Sequence, residues 1–193
     1  MKEFIIIGHR AVTTPFSLND LPGAAGRMDI MCRCVNSALF LSHDMRRDVR
    51  VYIVLKGQPP SKIIRFDGMD VRYLSPDERS AASLIRKALE KNVQEFWTGS
   101  TSGVSIRKGN LSDLLAELNK KVIYLREDGK DLRGKKFDEP LFALGDHEGI
   151  TEDEDNIIKG FEHEIVSTGP LSLHADHCIV LLHNEMDRAE KCI

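Results

Sequence analysis

The last third of the chain holds the residues whose types and spacing best suit the binding of a small ligand. Three short apolar runs there end in loops rich in Gly, Pro, Ser or His, over 122–125, 141–149 and 167–173. At the carboxyl edge of a parallel α/β sheet, such loops present backbone N–H and C=O groups to a ligand. The segment His174–Cys178 follows directly. The pattern predicts a ligand site here, supported by the upstream chain.

Histidines and cysteines do not form a metal motif. His147, His174 and His177 lie in the loops, but no carboxylate or cysteine stands at the spacing of a zinc site, so we expect loop hydrogen bonds from them. The four cysteines lack CxxC pairs and are interpreted as buried thiols: Cys32, Cys34, Cys178 and Cys192. The chain also lacks GxGxxG after its first strand and GxxxxGK[ST], which disfavours a Rossmann dehydrogenase or a P-loop enzyme.

Length and composition indicate one globular domain over residues 1–193. The chain has 41% hydrophobic and 30% charged residues and a net charge of -3, which gives no overall attraction to nucleic acid. No apolar run approaches the roughly 20 residues of a membrane span, and Met1–Gly8 is too short for a secretion signal. We therefore expect a cytoplasmic protein without a membrane partner.

The first third of the chain reads as two buried strands around a helix. Apolar runs over 4–7 and 49–55 predict strands, and the polar stretch His9–Gly26 predicts a loop. Apolar residues at helical spacing predict an amphipathic helix over about 27–41.

The middle of the chain contains clear turn and cap signals. Asp67-Gly68 between 62–66 and 71–73 predicts a small hairpin. Ser75, followed by Pro76 and Glu78, predicts a capping box for a helix to about residue 91. The Thr/Ser/Gly stretch over 97–103 predicts a flexible loop.

Strands and helices continue to alternate to the end of the chain. We expect strands over 104–106, 122–125, 141–144 and 164–167, helices over 111–118, from Thr151 to about Gly160 and from about His174, and an exposed loop over 126–136. Such alternation predicts an α/β fold with a mostly parallel sheet and helices on both faces.

Eight segments, in one order along the chain, match a known family: Asp20–Gly23, Gly26–Asp29, Cys32–Cys34, Leu41–Asp44, Arg46–Asp48, Leu74–Arg79, Gly145–Gly149 and Leu171–Cys178. Over essentially its whole length, the chain resembles the archaeal tRNA pseudouridine-54 N1-methyltransferases of the SPOUT class. The resemblance implies S-adenosylmethionine as cofactor, tRNA as substrate, a homodimer, and a C-terminal trefoil knot within about 120–193. Such knots are rare exceptions to the rule against threading.

The resemblance also implies which residues form the cofactor pocket. Glycines let backbone approach an adenine edge closely, and leucines could sandwich its ring. The implied pocket residues are Leu125, Gly145, Asp146, His147, Gly149, Leu171, Ser172, Leu173 and Cys178. Taken without the resemblance, the glycines can equally be turn residues after strands.

Methylation of pseudouridine at N1 requires removal of the N1 proton and stabilisation of charge on the ring carbonyls. Within the matching segments, Asp77 is the candidate proton acceptor or orienter, and Arg27 and Arg79 are candidate donors to ring or phosphate. Each has a plainer interpretation: Asp77 complements a helix dipole, Arg79 pairs with a carboxylate, and Arg27 is a solvated charge at a helix start.

The substrate is expected to be an unpaired base in a tRNA loop, held by basic side chains. Candidates for that surface are Arg46, Arg47, Arg50, Arg65, Arg72, Arg86 and Lys87, although each alone is also typical of a solvated face. Two alternatives stay open on the sequence: a pseudouridine N1-methyltransferase acting on ribosomal RNA, and a non-catalytic dimer that binds RNA.

Overall fold

The computed structural model describes residues 1–191, which form eight strands and five helices. Cys192 lies outside the described residues. The strands are β1 Lys2–Gly8, β2 Val49–Leu55, β3 Lys62–Asp67, β4 Thr98–Thr101, β5 Val104–Lys108, β6 Val122–Asp131, β7 Leu141–Gly145 and β8 His163–Ser167. The helices are α1 Met28–Leu39, α2 Glu78–Leu89, α3 Leu111–Leu118, α4 Glu152–Lys159 and α5 Ala175–Lys191.

All eight strands form one sheet in the order β4-β5-β3-β2-β1-β7-β6-β8. The five strands from β2 to β8 pair in parallel, whereas β3, β5 and β4 continue the sheet in antiparallel pairs. The register aligns Gly8 with Leu55 and Ile7 with Gly145. The carboxyl ends of β1, β2 and β7 therefore meet at one edge of the sheet.

Helices cover both faces of this sheet, as predicted. Helices α1, α2 and α5 pack on one face over a core that includes Phe4, Met31 and Leu182. Helices α3 and α4 pack on the other face over Ile5 and Tyr124. Five apolar residues of α5 at helical spacing are all buried: Ala175, Cys178, Ile179, Leu182 and Met186. The predicted α/β class is confirmed.

Helix starts follow the local sequence in some places and depart from it in others. The capping box of Thr151 and Glu154 starts α4, as predicted. The expected box at Ser75 is wrong, because Asp77 caps α2 and accepts a hydrogen bond from the Ser80 N–H at 2.7 Å. The two residues after Ser75 therefore precede the helix.

Two further expectations about the middle of the chain are wrong. Residues 71–73 form no strand, so there is no hairpin about Asp67-Gly68; β3 pairs instead with β2 and β5. Residues 98–101, expected to be a flexible loop, form β4 against β5. In both cases, pairing between distant segments decides the structure, and the turn signal alone does not report it.

Strand β6 also extends further than predicted. The stretch 126–131, expected to be an exposed loop, continues the strand, and both Leu125 and Lys130 pair with Val166 of β8. Gly129 lies directly against β8, since a side chain there would approach the Val166 carbonyl carbon to 2.6 Å. The extension of β6 thus pairs with the end of β8.

Among residues 1–191, no helix is long and apolar enough to cross a membrane.

Candidate active site

A cleft of about 640 Å³ lies at the carboxyl ends of β6, β7 and β8, beside the start of α5. The structure brings all nine residues of the expected cofactor pocket together around it: Leu125, Gly145, Asp146, His147, Gly149, Leu171, Ser172, Leu173 and Cys178. The cleft is large enough for a small organic cofactor.

The end of β7 and the loop that follows it form one wall. Gly145, the last residue of β7, has no room for a side chain. A side chain on Gly145 would meet the Gly149 carbonyl oxygen at 1.8 Å. Gly149 itself has a φ of 76°, a left-handed conformation that favours glycine. Backbone hydrogen bonds from the Asp146 N–H to the Ile7 carbonyl and from the Gly149 N–H to the Asp146 carbonyl, at 3.0 and 3.1 Å, fix the loop.

The loop after β8 gives the cleft an apolar and largely solvent-exposed wall. Leu171 is 73% exposed and Leu173 is 42% exposed. Both leucines line the cleft, so they form an exposed apolar surface that is suited to cover an aromatic ring. Ile30, near the start of α1, also lines the cleft.

A buried ionic network anchors the cleft to β1. His9 bonds through Nδ1 to Asp146 Oδ1 at 2.8 Å and through Nε2 to Glu154 at 3.0 Å, while its backbone N–H donates to Asp146 Oδ2 at 2.8 Å. The two carboxylates are only 1% and 2% exposed. Lys56 also pairs with Glu154. Loops after β1, β2 and β7 and the start of α4 are thereby joined.

This network holds His9 in its charged form. Hydrogen bonds to Asp146 and Glu154 raise the pKa of His9 from 6.5 to about 9, against the opposing effect of burial. Burial alone would raise the pKa of Glu154, but hydrogen bonds from His9 and Lys56 lower it to about 2. Asp146 likewise has a lowered pKa because hydrogen bonds from His9 outweigh its burial. Asp146 therefore acts as an anchor of the loop.

Several cleft residues were not anticipated from the sequence. Tyr124 and Arg126 flank Leu125 on β6, and the Tyr124 hydroxyl donates to Asp155 while Arg126 donates to that hydroxyl at 3.1 Å. Glu127 also lines the cleft, and a hydrogen bond from Ser172 lowers its pKa. An ionised carboxylate here can accept hydrogen bonds from ligand hydroxyl or ammonium groups. The sequence signal for these residues was their position at or just after the end of the predicted strand over 122–125.

Cys178 forms part of the wall at the start of α5. Its Sγ lies 3.6 Å from Thr168 Oγ1, and burial raises the pKa of its thiol. A thiol with a raised pKa is a poor nucleophile at neutral pH. Cys32 and Cys34 are also buried with raised pKa values, as the interpretation of buried thiols expected.

The loop histidines make few contacts. His147 approaches Asp146 at 3.5 Å, and the rings of His174 and His177 meet edge to face with centroids 5.5 Å apart. Over residues 1–191, no group of three or more His, Cys, Asp or Glu side chains could hold a metal ion.

The three candidate catalytic residues lie outside the lining of the cleft. Arg27 has a φ of 64° directly before α1, and its Nε and Nη2 bond to Asp29 at 3.0 and 3.1 Å. Asp77 uses a carboxylate oxygen to cap α2. Arg79 is exposed and reaches the Leu18 carbonyl at 3.5 Å. Within one chain, these three residues therefore do not line the cleft that the cofactor-pocket residues form.

A chain of ion pairs nevertheless links these residues to the cleft wall. Arg33 on α1 bonds to Asp29 at 2.9 Å, to Glu78 of α2 at 3.4 Å and to Asp176 of α5 at 3.6 Å. Asp176 follows Ala175, which lines the cleft. The first turns of α2 and α5 are thus held against α1.

Comparisons with known proteins identify the family of the chain. A family described as SAM-dependent RNA methyltransferase matches residues 1–191. The tRNA (pseudouridine(54)-N(1))-methyltransferase of Methanococcoides burtonii is 58% identical over 97% of this chain and 96% of its own length. The enzyme of that name from Methanosarcina acetivorans is 57% identical over 98% of this chain and 92% of its own length.

A solved structure shares the fold. Archaeoglobus fulgidus Nep1, crystallised with S-adenosylhomocysteine, is 17% identical and has a TM-score of 0.67, covering 98% of this chain and 99% of its own. The family match over residues 1–191 and the identity to these relatives show that the chain belongs to the family of SAM-dependent RNA methyltransferases.

Proposed function

We propose that this protein transfers a methyl group from S-adenosylmethionine to N1 of pseudouridine 54 in the T loop of tRNA. The observation that carries the proposal is the cleft, because every residue expected to hold the cofactor lines it. Relatives bearing that activity in their names match nearly the whole chain.

The residues of the cleft fit this cofactor. The absence of a side chain at Gly145 and Gly149 lets a ligand approach the backbone of this loop, and Leu171 and Leu173 are open to cover an adenine ring. Glu127 would accept hydrogen bonds from hydroxyl or ammonium groups. When bound, S-adenosylmethionine supplies the electrophilic methyl group. The His9 network keeps the wall after β7 in place, which favours a fixed orientation for the reaction.

The acceptor base requires groups that the cleft of one chain does not supply. Asp77 would accept or orient the N1 proton, and Arg27 and Arg79 would donate to the ring carbonyls or a phosphate. Because these three lie off the cleft, we propose a homodimer in which one subunit presents them to the cofactor site of its partner. Val180 on α5 is 52% exposed and lies outside the lining of the cleft, so it is available for such an interface.

We also propose that the C-terminal segment is a trefoil knot. Its support is the double pairing of Leu125 and Lys130 with Val166 at the end of β8, with Gly129 against the β8 backbone. Since tRNA is modified where it is made and used, we place the protein in the cytoplasm.

The direct test uses two tRNA transcripts that differ only at position 54, with pseudouridine in one and uridine in the other. Labelled S-adenosylmethionine should transfer label to the pseudouridine transcript alone, with the product identified as N1-methylpseudouridine. Label in both transcripts, or in neither while the cofactor binds, would contradict the proposed reaction. A pseudouridine-containing ribosomal RNA fragment in the same assay tests the ribosomal substrate.

The dimer has its own test. A mixed dimer of Gly145→Ala in one chain and Arg27→Ala in the other has one intact composite site only if the two residues act across the interface. Activity near half that of the wild type is expected, whereas each variant alone should be inactive. An inactive mixed dimer would contradict the shared site.

A further inference from the structure

Tyr73 is the most unusual surface residue of the chain. Its side chain is 83% exposed and its φ is 62°. Left-handed backbone is uncommon for a bulky residue and costs free energy that its ring cannot regain by packing in solvent. Strain of this kind persists where the surrounding structure imposes it and is found at ligand-binding positions.

The start of α2 holds Tyr73 in this conformation. The Tyr73 carbonyl accepts a hydrogen bond from Ser80 Oγ at 3.4 Å, and Ser80 Oγ in turn accepts a hydrogen bond from the Ser75 N–H at 2.8 Å. The Ser80 N–H in turn donates to the cap residue Asp77 at 2.7 Å. The ring is therefore displayed from a fixed turn and shares its anchor with Asp77.

Three arginines in or near the segments that flank Tyr73 and Ser80 lack carboxylate partners. Within residues 1–191, Arg47, Arg72 and Arg79 form no ion pair, and Arg72 and Arg79 are exposed. Arg47 donates to the Gly68 and Val71 carbonyls at 3.0 and 3.5 Å, so it lies under the segment that leads to Tyr73. The local carboxylates are Asp70, Glu78 and Asp77, of which Glu78 faces Arg33 and Asp77 is a cap.

An exposed aromatic ring in a segment with arginines that form no ion pair suits the binding of single-stranded RNA. Unstacked bases bind on aromatic faces, and arginines hold the flanking phosphates. We propose that Tyr73 is a stacking platform for an unpaired base of the RNA substrate, with Arg47, Arg72 and Arg79 as its phosphate contacts. The inference rests on the proposed function for the identity of the RNA. It adds a positioning surface next to Asp77.

The test measures binding of a T-arm stem-loop RNA by fluorescence anisotropy, with S-adenosylhomocysteine present, for Tyr73→Ala, Tyr73→Phe and Tyr73→Gly. Loss of one base stack should raise the Kd by about 5-fold to 100-fold for Tyr73→Ala and Tyr73→Gly. Tyr73→Phe keeps the ring and should stay within about 2-fold of the wild type. Phe96→Ala is the matched control, since Phe96 is another exposed aromatic residue.

Stability separates a functional ring from a structural one. Glycine accepts the left-handed backbone and the ring packs against little, so Tyr73→Gly should keep or raise the melting temperature while RNA binding falls. Unchanged RNA affinity in Tyr73→Ala would overturn the proposal, as would an equal loss in Phe96→Ala. A change from dimer to monomer on Tyr73→Ala would also overturn it, because the ring would then be a contact between chains.

These results are distinguishable from a failure of the proposed function. If the wild type methylates no pseudouridine-containing tRNA but still binds RNA through Tyr73, only the assigned reaction is wrong. If the wild type methylates tRNA and Tyr73→Ala does so with unchanged KM, only the stacking platform is wrong.

Discussion

In the wild type, we expect the free energy of unfolding to fall as the pH rises from 6.5 to about 9. Replacing His9 by glutamine should remove this pH dependence. The imidazolium lies between two carboxylates, and its pKa of about 9 exceeds the ordinary value of 6.5. At about 1.4 kcal/mol per pKa unit, the difference corresponds to about 3 kcal/mol. His9 is only 9% exposed, so solvent screens this interaction weakly.

The sign follows from which form the fold prefers. Because the folded state raises the pKa, the contribution is fully present below pH 6.5 and disappears as the pH rises to about 9. Glu154, with its pKa lowered to about 2, stays ionised throughout this window and adds no slope. His9→Gln should therefore be about 3 kcal/mol less stable than the wild type at pH 6 and nearly equal to it above pH 9.

Urea unfolding at several pH values between 6 and 9.5 measures this difference. Trp97 is the only tryptophan, and its fluorescence reports the transition. His43→Gln, at an exposed histidine, should keep the wild-type pH dependence. A constant difference between His9→Gln and the wild type across the window would refute the argument, because the lost free energy would then come from packing and not from charge.

Three further predictions concern the cleft and the buried His183 of α5. Gly145→Ala should lose S-adenosylhomocysteine binding in calorimetry, since its side chain would collide with backbone, whereas Gly99→Ala, with nothing within 4 Å, should bind normally. Leu171→Ala should leave the melting temperature unchanged but weaken cofactor binding roughly tenfold, because this leucine is covered only when ligand is present. Burial lowers the pKa of His183 to about 4, so the wild type should lose about 3 kcal/mol as the pH falls from 6.5 to 4, a loss that His183→Gln should lack in acid unfolding.

The loops that form the cleft could be predicted because they follow strand ends, whereas the individual pocket residues came from the resemblance to a known family. Apolar runs followed by Gly-rich loops mark where parallel strands stop, and the sheet order then places the loops after β6, β7 and β8 together. The capping box at Thr151 was equally local, since both of its hydrogen bonds lie within four residues. Sequence patterns of this kind predict the structure correctly because the hydrogen bonds that they form are local and no distant segment competes for the same groups.

The errors arose where distant segments decided the outcome. Residues 98–101 have the composition of a loop, yet they pair with β5 and become an edge strand. Asp67-Gly68 suits a hairpin turn, but β3 already has β2 and β5 as neighbours, so residues 71–73 have no free edge to join. Ser75 does not cap α2 because its N–H bonds to Ser80 Oγ, while Asp77 accepts the Ser80 N–H as the cap.

His9 shows why a charged network escapes sequence reasoning. It is separated from Asp146 by 137 residues and lies in a stretch whose composition indicates only a loop. Its role depends on the register that sets Ile7 beside Gly145, which puts the residues after β1 and β7 at the same level. A histidine directly after a buried parallel strand is the single local hint.

The distribution of charge over the molecule argues that cofactor and RNA are held in different ways. Around the cleft, His9 and Lys56 neutralise the buried carboxylates, so that wall is fixed before any ligand arrives. Around Tyr73, the arginines lack such partners and the backbone is strained, so binding of an anionic RNA would supply the missing interactions. Salt should consequently weaken RNA binding strongly and cofactor binding little, because exposed charge pairs are screened and buried pairs are not.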